Sequence, residues 1–390
     1  MSQVLSGRVV SGLGGAGMTS LVSILITDLV PVREIASWRS YVNIAGTMGR
    51  GLGAPIGGLL ADLVGWRWSF TGQALLTLIS ILLCTVFLPH VTPLASLFSS
   101  SSSEETAQNK RSNLFRIDFL GAGLLASSII AGLLALDLGG SKLPWLHPTI
   151  VALFSTCLIL GILFLFVEAY YATDPVFPLH ILRKRDIGVA YWVISLSFAA
   201  QFAMAFTVPL YFQVTIGASR TDAGSRMIPA VAGNAVGGLV AGWAIKKNGR
   251  YKALTLASAL SMSLTYIYQI LFWRGKTTLL ESSLSVIPSG VGTGIAGATV
   301  FVALAAVTQP EHMATVTSGF YLVTNVATVL GISGVGAVLE GTLRGVLWRD
   351  LGGLEGGAQI IEKAISDVDY VRTLKGDIAR IVIHAYVQAI

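Results

Sequence analysis

The chain predicts an all-α integral membrane protein, a bundle of about ten transmembrane helices, and three observations carry that expectation. Hydrophobic residues make up 53% of 390 and charged residues only 12%, about half the charge of a typical soluble domain. Mean hydropathy is +0.72. Apolar runs of about 20 residues, the length that crosses a bilayer as a helix, recur along the whole chain. They fall near 4–30, 40–61, 69–89, 117–137, 148–169, 187–212, 223–245, 252–273, 281–307 and 313–339. Cys84 and Cys157 lie inside apolar runs and are expected in the core, with no disulfide framework or thiol metal site. No Asn-x-Ser/Thr sequon occurs.

Loop charges give an orientation. With the chain starting on the non-cytoplasmic side, the cytoplasmic loops hold Arg33, Arg39, Lys110, Arg111, Arg116, Arg183, Lys184, Arg185, Lys246, Lys247, Arg250 and Lys252. The opposite short loops hold only Arg67, Lys142, Arg220, Arg274 and Lys276. This is a positive-inside bias, and it accounts for the net charge of +6 better than nucleic-acid binding does. The first run has no charged n-region or small-residue cleavage site, so it is not a signal peptide.

The runs differ in what they carry. In the first, Arg8, Gly12, Gly15 and Thr19 share one helical stripe. In the second, Gly46, Gly49, Gly53 and Gly57 recur three or four residues apart, with Gly58 beside them and Pro55 interrupting the ladder. In a bilayer such a helix survives, and its bare face invites a close neighbour. Asn43, Thr47 and Arg50 share a stripe of the same run. Further polar groups inside runs are Gln201, Asn234, Gln269 and Asn325. An intramembrane arginine costs about 3 kcal/mol or more, so it faces protein or a water-filled cavity. Arg50 lies about 16 Å along the helix from Arg39, too deep for easy snorkelling. Arg226 is expected at the interface. Residues 91–116, with serines from Ser99 to Ser103, read as a solvated tether. The tail after 339 mixes charge with helical apolar spacing at Ile360, Ile361, Ala364 and Ile365 and at Ile378, Ile381, Ile383 and Tyr386, and is expected as a surface helix.

These residues resemble one family. Gly49 to Phe70, GRGLGAPIGGLLADLVGWRWSF, is similar to the fifth-span antiporter motif of the major facilitator superfamily followed by the Gly-Trp-Arg-Trp turn of its fungal members. Ala54 takes the motif's proline position and Pro55 stands one place late. Gly7 to Gly17 resembles the fourth-span motif, with Ser11 where many members carry Gln. Gly242 to Lys252 resembles the second-half copy of the short cytoplasmic signature, which implies a gate at Gly242, Lys246, Gly249 and Arg250. The likeness covers nearly the whole chain, in its fourteen-span fungal branch of drug:proton antiporters and vacuolar basic amino-acid transporters.

The resemblance implies an organisation. Residues 1–90 would be the remainder of the N-terminal half (family spans 4–6), 91–116 a cytoplasmic Ser-rich loop and 117–170 two extra linker spans. Residues 171–186 would be a cytoplasmic linker, 187–339 the C-terminal half and 340–390 a non-cytoplasmic amphipathic tail. Spans one to three and the last span would be missing, so the chain is expected to be a fragment. It also implies proton coupling at Arg8 and a substrate and proton pathway through Arg8, Ser11, Thr19, Asn43, Thr47, Arg50, Gln201, Asn234 and Asn325. Gly12, Gly49, Gly53, Pro55, Gly57 and Gly58 would serve packing and hinge motion. No run carries an Asp or Glu near its centre, since Asp28, Asp62, Asp137, Glu168 and Glu340 fall at run ends. The proton-carrying carboxylate is therefore expected in the missing spans.

Enzyme chemistry finds no support. His90, His147, His180, His312 and His384 have no metal-ligand spacing, and Gly12 to Gly17 follows no strand. The expected function is alternating-access, proton-coupled antiport of basic amino acids into the vacuole. Its partners are a small-molecule substrate, protons and the lipid bilayer, with no cofactor, metal or nucleic acid, and the chain is expected as a monomer. Plasma-membrane multidrug efflux is the alternative within the class. A non-transporting nutrient sensor or an inactive fragment is the alternative outside it.

Overall fold

The computed structural model describes residues 2–63, 66–87, 118–139, 143–171, 184–273, 279–309, 312–353, 356–374 and 376–390. The Ser-rich loop 91–116 and residues 172–183 of the linker lie outside them, as do the side chains of Arg50, Pro55, Gly57 and Gly58. The described chain is helical. In order come α1 (Ser2–Leu29), α2 (Val32–Leu63), α3 (Trp66–Phe87), α4 (Phe119–Leu138) and α5 (Pro148–Tyr170). Then follow α6 (Arg185–Thr215), α7 (Arg220–Ser225), α8 (Ile228–Asn248), α9 (Lys252–Phe272) and α10 (Leu279–Ser285). Last are α11 (Ile287–Val307), α12 (Met313–Leu351), α13 (Gly357–Ser366), α14 (Val368–Thr373) and α15 (Gly376–Ala389). Among the described residues, seven helices are long and apolar enough to cross a membrane. The helices α1, α2 and α3, at 28, 32 and 22 residues, occupy the first three expected runs.

Local chemistry sets the helix ends. The carboxylate of Asp118 accepts from the Gly121 N–H at 2.7 Å and caps α4. Pro148, Pro229 and Pro288 stand in first turns, where a missing N–H costs nothing. Gly249 closes α8 at φ 65°, a left-handed conformation open to glycine.

The tightest packing lies between α8 and α11. A Cβ added at Gly237 would overlap the Val291 carbonyl, one at Gly290 the Ala230 carbonyl, and one at Gly294 the Asn234 carbonyl. These glycines let two backbones touch, which is how helices associate where lipid supplies no hydrophobic drive. The bare face expected to do this was on α2. Around Gly12, Gly49 and Gly53 nothing described lies within 4 Å of an added Cβ. Beside this pair, Ile194, Phe301, Leu304 and Phe320 join α6, α11 and α12 in one buried cluster. The Tyr191 hydroxyl ties α6 to α12 by donating to the Val316 carbonyl at 2.8 Å. The helices α4 and α5 pair with each other, and the Ser128 hydroxyl donates to the Cys157 carbonyl at 2.8 Å.

Two expectations need correction. Cys84 is exposed and Cys157 half-buried, so neither is a core residue; among the described residues α3 packs on α2. The last long helix does not stop at 339 but runs on to Leu351. Its extension seats the tail, whose apolar residues Ile361, Ala364, Val382, Ala385 and Tyr386 are buried against Val214, Leu343 and Leu347. The amphipathic faces thus pack on protein. Arg372 donates to the Ala218 carbonyl.

Burial pushes the Tyr386 hydroxyl up to about 12, and that hydroxyl donates to the Ala364 carbonyl at 2.7 Å. The folded tail holds this proton more tightly than the unfolded chain does. Its contribution is therefore complete below pH ~10 and lost as pH rises from about 10 to 12. Tyr386→Phe should cost the tail about 1 kcal/mol and remove this alkaline loss, checked by limited proteolysis at neutral pH and a circular-dichroism pH titration.

Candidate functional site

A cavity of about 380 Å³ opens where α1 and α2 face α6, α8, α11 and α12. Thr19, Asn43, Phe198, Tyr321, Thr324 and Asn325 supply its chemistry. Beside it, Asn43 Nδ2 donates to Asn234 Oδ1 at 2.8 Å. Thr47 Oγ1, 6% exposed, donates to the same oxygen at 3.1 Å. One carboxamide on α8 thus takes two donors from α2, residues four apart on one helix face. Asn43 lies eleven residues into α2, about 16 Å along its axis.

The α2–α8 seam continues to the helix ends. There Lys246 Nζ lies 3.1 Å from Glu34 Oε1, with side chains 54% and 43% exposed. At that exposure the pair contributes about 0–1 kcal/mol. A third link joins α1 to α12. Ser23, fully buried, donates to the Thr19 carbonyl at 3.1 Å and hydrogen-bonds the Tyr321 hydroxyl.

The other sequence-predicted residues are distributed differently. Arg8 and Ser11 are exposed and line a separate groove of about 770 Å³ between α1 and α3, with Arg67 and Gln73. The half-buried Gln201 accepts from Ser289 at 2.8 Å and Thr293 at 2.9 Å, which ties α6 to α11 one turn from the cavity residue Phe198. Arg226 stands between α7 and α8. It is 9% exposed, pairs with Asp222 at 3.2 Å and lies 4.4 Å over the Phe212 ring, an arrangement that offsets its desolvation. In the gate signature Gly242 is buried in α8, Gly249 forms the left-handed cap and Arg250 is exposed.

Sequence reasoning missed Ser23, Glu34, Tyr321, Thr324 and Phe198. Two signals were available. Ser23 follows Thr19 by four residues and extends the α1 stripe, and Tyr321, Thr324 and Asn325 share one face at i, i+3 and i+4. Phe198 looked like any apolar core residue.

Comparison with known proteins agrees with this architecture. The family model described as Major Facilitator Superfamily matches residues 1–332. The chain is 28% identical to multidrug resistance protein fnx1 of Schizosaccharomyces pombe, covering 100% of this chain and 71% of that protein. It is 27% identical to vacuolar membrane amino acid uptake transporter fnx2 of the same yeast, covering 100% and 65%. It is also 27% identical to vacuolar basic amino acid transporter 2 of Saccharomyces cerevisiae, covering 98% and 80%. A helical bundle with a cavity between its first and later spans, matched by that model over most of its length, belongs to the major facilitator superfamily: it is a membrane transporter and not an enzyme.

Proposed function

We propose that the protein exchanges protons for basic amino acids across the vacuolar membrane by alternating access. The observation that carries this is the central cavity beside the Asn43–Thr47–Asn234 node, where helices from the first and later parts of the chain meet at mid-helix. Substrate sites of such transporters lie at that depth, between two halves that rock. Relatives named for amino-acid uptake and basic amino-acid transport at the vacuole support the substrate and the membrane. The relative named for multidrug resistance supports efflux as a second reading. Uptake of radiolabelled lysine or arginine into vesicles carrying the protein, driven by an imposed proton gradient, tests the first. Drug export without such uptake favours the second, and neither activity favours a sensor or an inactive chain.

With the orientation taken from the loop cations, Glu34 and Lys246 meet at the cytoplasmic end and form part of the gate with Gly242, Gly249 and Arg250. Reversing either charge, by Glu34→Lys or Lys246→Glu, should change the uptake rate by up to about fivefold, because an exposed pair is worth at most ~1 kcal/mol. The double reversal should restore it. Equal rates in all four proteins would remove the pair from the gate.

A further inference from the structure

We infer that the central cavity receives the aliphatic stem of its substrate between Phe198 and Gly297, and that the bare position at Gly297 sets the stem length the protein accepts. This rests on the amino-acid reading above and adds which residue selects among amino acids by side-chain length.

The seam between α6 and α11 carries the argument. At one level Ile194 of α6 shares a buried cluster with Phe301 and Leu304 of α11. At another, Gln201 of α6 accepts from Thr293 of α11 at 2.9 Å. The two helices are therefore antiparallel along the seam, and it is closed at both levels. Ile194, Phe198 and Gln201 recur at i, i+4 and i+7 on one face of α6. Thr293, Gly297, Phe301 and Leu304 share one face of α11 in the same way. That register sets Phe198 level with Gly297, between the closed parts. Both residues border the cavity.

Gly297 is where the wall of α11 gives way. Every other residue from Gly292 to Phe301 is buried, whereas Gly297 is half-buried. A Cβ added at Gly297 meets nothing described within 4 Å. One at Gly290, Gly292 or Gly294 would overlap the backbone of a facing helix. Those glycines serve helix contact, and Gly297 serves the cavity. A side chain at 297 would take up part of a space of about 380 Å³, already near the small end of the ~300–1,000 Å³ of small-molecule sites. A bare helix backbone level with an aromatic ring leaves a slot for a methylene chain. Each methylene that leaves water there should tighten binding about fourfold.

The test is equilibrium binding to the purified protein in lipid nanodiscs. The probes are lysine and 2,4-diaminobutyrate, which carries the same two amines on a side chain two methylenes shorter. Lysine should bind at least about tenfold more tightly. Gly297→Leu should bring the two within about threefold by weakening lysine alone. Gly297→Ala should fall between, and guards against misfolding of the leucine variant. The thermal unfolding midpoint of Gly297→Leu should stay within about 2 °C of wild type, since the added side chain enters open space. Norleucine against 2-aminobutyrate repeats the length comparison without the side-chain amine. A length preference in that pair alone, lost in Gly297→Leu, upholds the slot and sinks only the basic amino-acid reading. The inference is overturned by the absence of a length preference in both pairs. It is overturned equally by a Gly297→Leu variant that keeps the preference, or that weakens long and short ligands alike.

Discussion

Gly237→Leu is expected to separate α8 from α11 and to be among the most destabilising single changes in the described bundle. A side chain at Gly237 meets the Val291 backbone, which cannot turn aside as a side-chain end can. The expected cost is at the upper end of about 1–3 kcal/mol for overpacking. The effect should spread, because Asn234, one turn before Gly237 on α8, holds two donors from α2. Thermal unfolding in detergent, followed by far-ultraviolet circular dichroism, reads the loss. Gly123→Leu on α4 is the control, since nothing described lies within 4 Å of an added Cβ there, and it should change stability by no more than about 0.5 kcal/mol. Equal stability of the two variants would remove the glycine contact from the account of this fold.

The second large effect is expected at Asn234. Replacing it with alanine removes the oxygen that accepts from both Asn43 and Thr47 and leaves two donors without that partner. Interhelical hydrogen bonds in membranes average about 0.6 kcal/mol, so two together are worth about 1–2 kcal/mol. That shifts a two-state equilibrium about tenfold. The arrangement with α2 against α8 should therefore open more often in Asn234→Ala. A cysteine placed at Gly46, with Cys84 and Cys157 replaced by alanine, should react several-fold faster with a membrane-impermeant maleimide. Asn43→Ala combined with Asn234→Ala should cost less than the sum of the single changes, since both delete the same bond. An additive pair, or unchanged labelling, would mean that the node carries no part of the conformational balance.

Much of this was legible in the chain. Long apolar runs must be helices in lipid, because their backbone groups find no other partners there, and α1 to α12 arise near the expected runs. Asn43, Thr47 and Asn234 were marked as polar residues within such runs, and polar groups at that depth need partners. Their pairing could not be read, because the partners stand 191 and 187 residues apart in sequence. Glycine spacing misled in one respect. The same four-residue interval occurs in α2, α8 and α11; at Gly49 and Gly53 of α2 nothing described lies within 4 Å of an added Cβ, whereas Gly237, Gly290 and Gly294 each meet a facing backbone. Spacing states that a close approach is permitted; it does not name the neighbour.

The sequence by itself determined the class of this protein. Composition and run length require a helical membrane bundle, and the glycine, proline and arginine motifs place it in its superfamily. Those properties are local, fixed by backbone hydrogen bonding and transfer energy along each helix. Only the tertiary structure decided which polar groups share a cavity, that Ser23 reaches Tyr321 and Glu34 reaches Lys246, and that the tail buries its apolar face on α12 and α6. Each of these is a contact between helices far apart in the chain. Packing geometry selects such contacts from many that sequence periodicity allows equally.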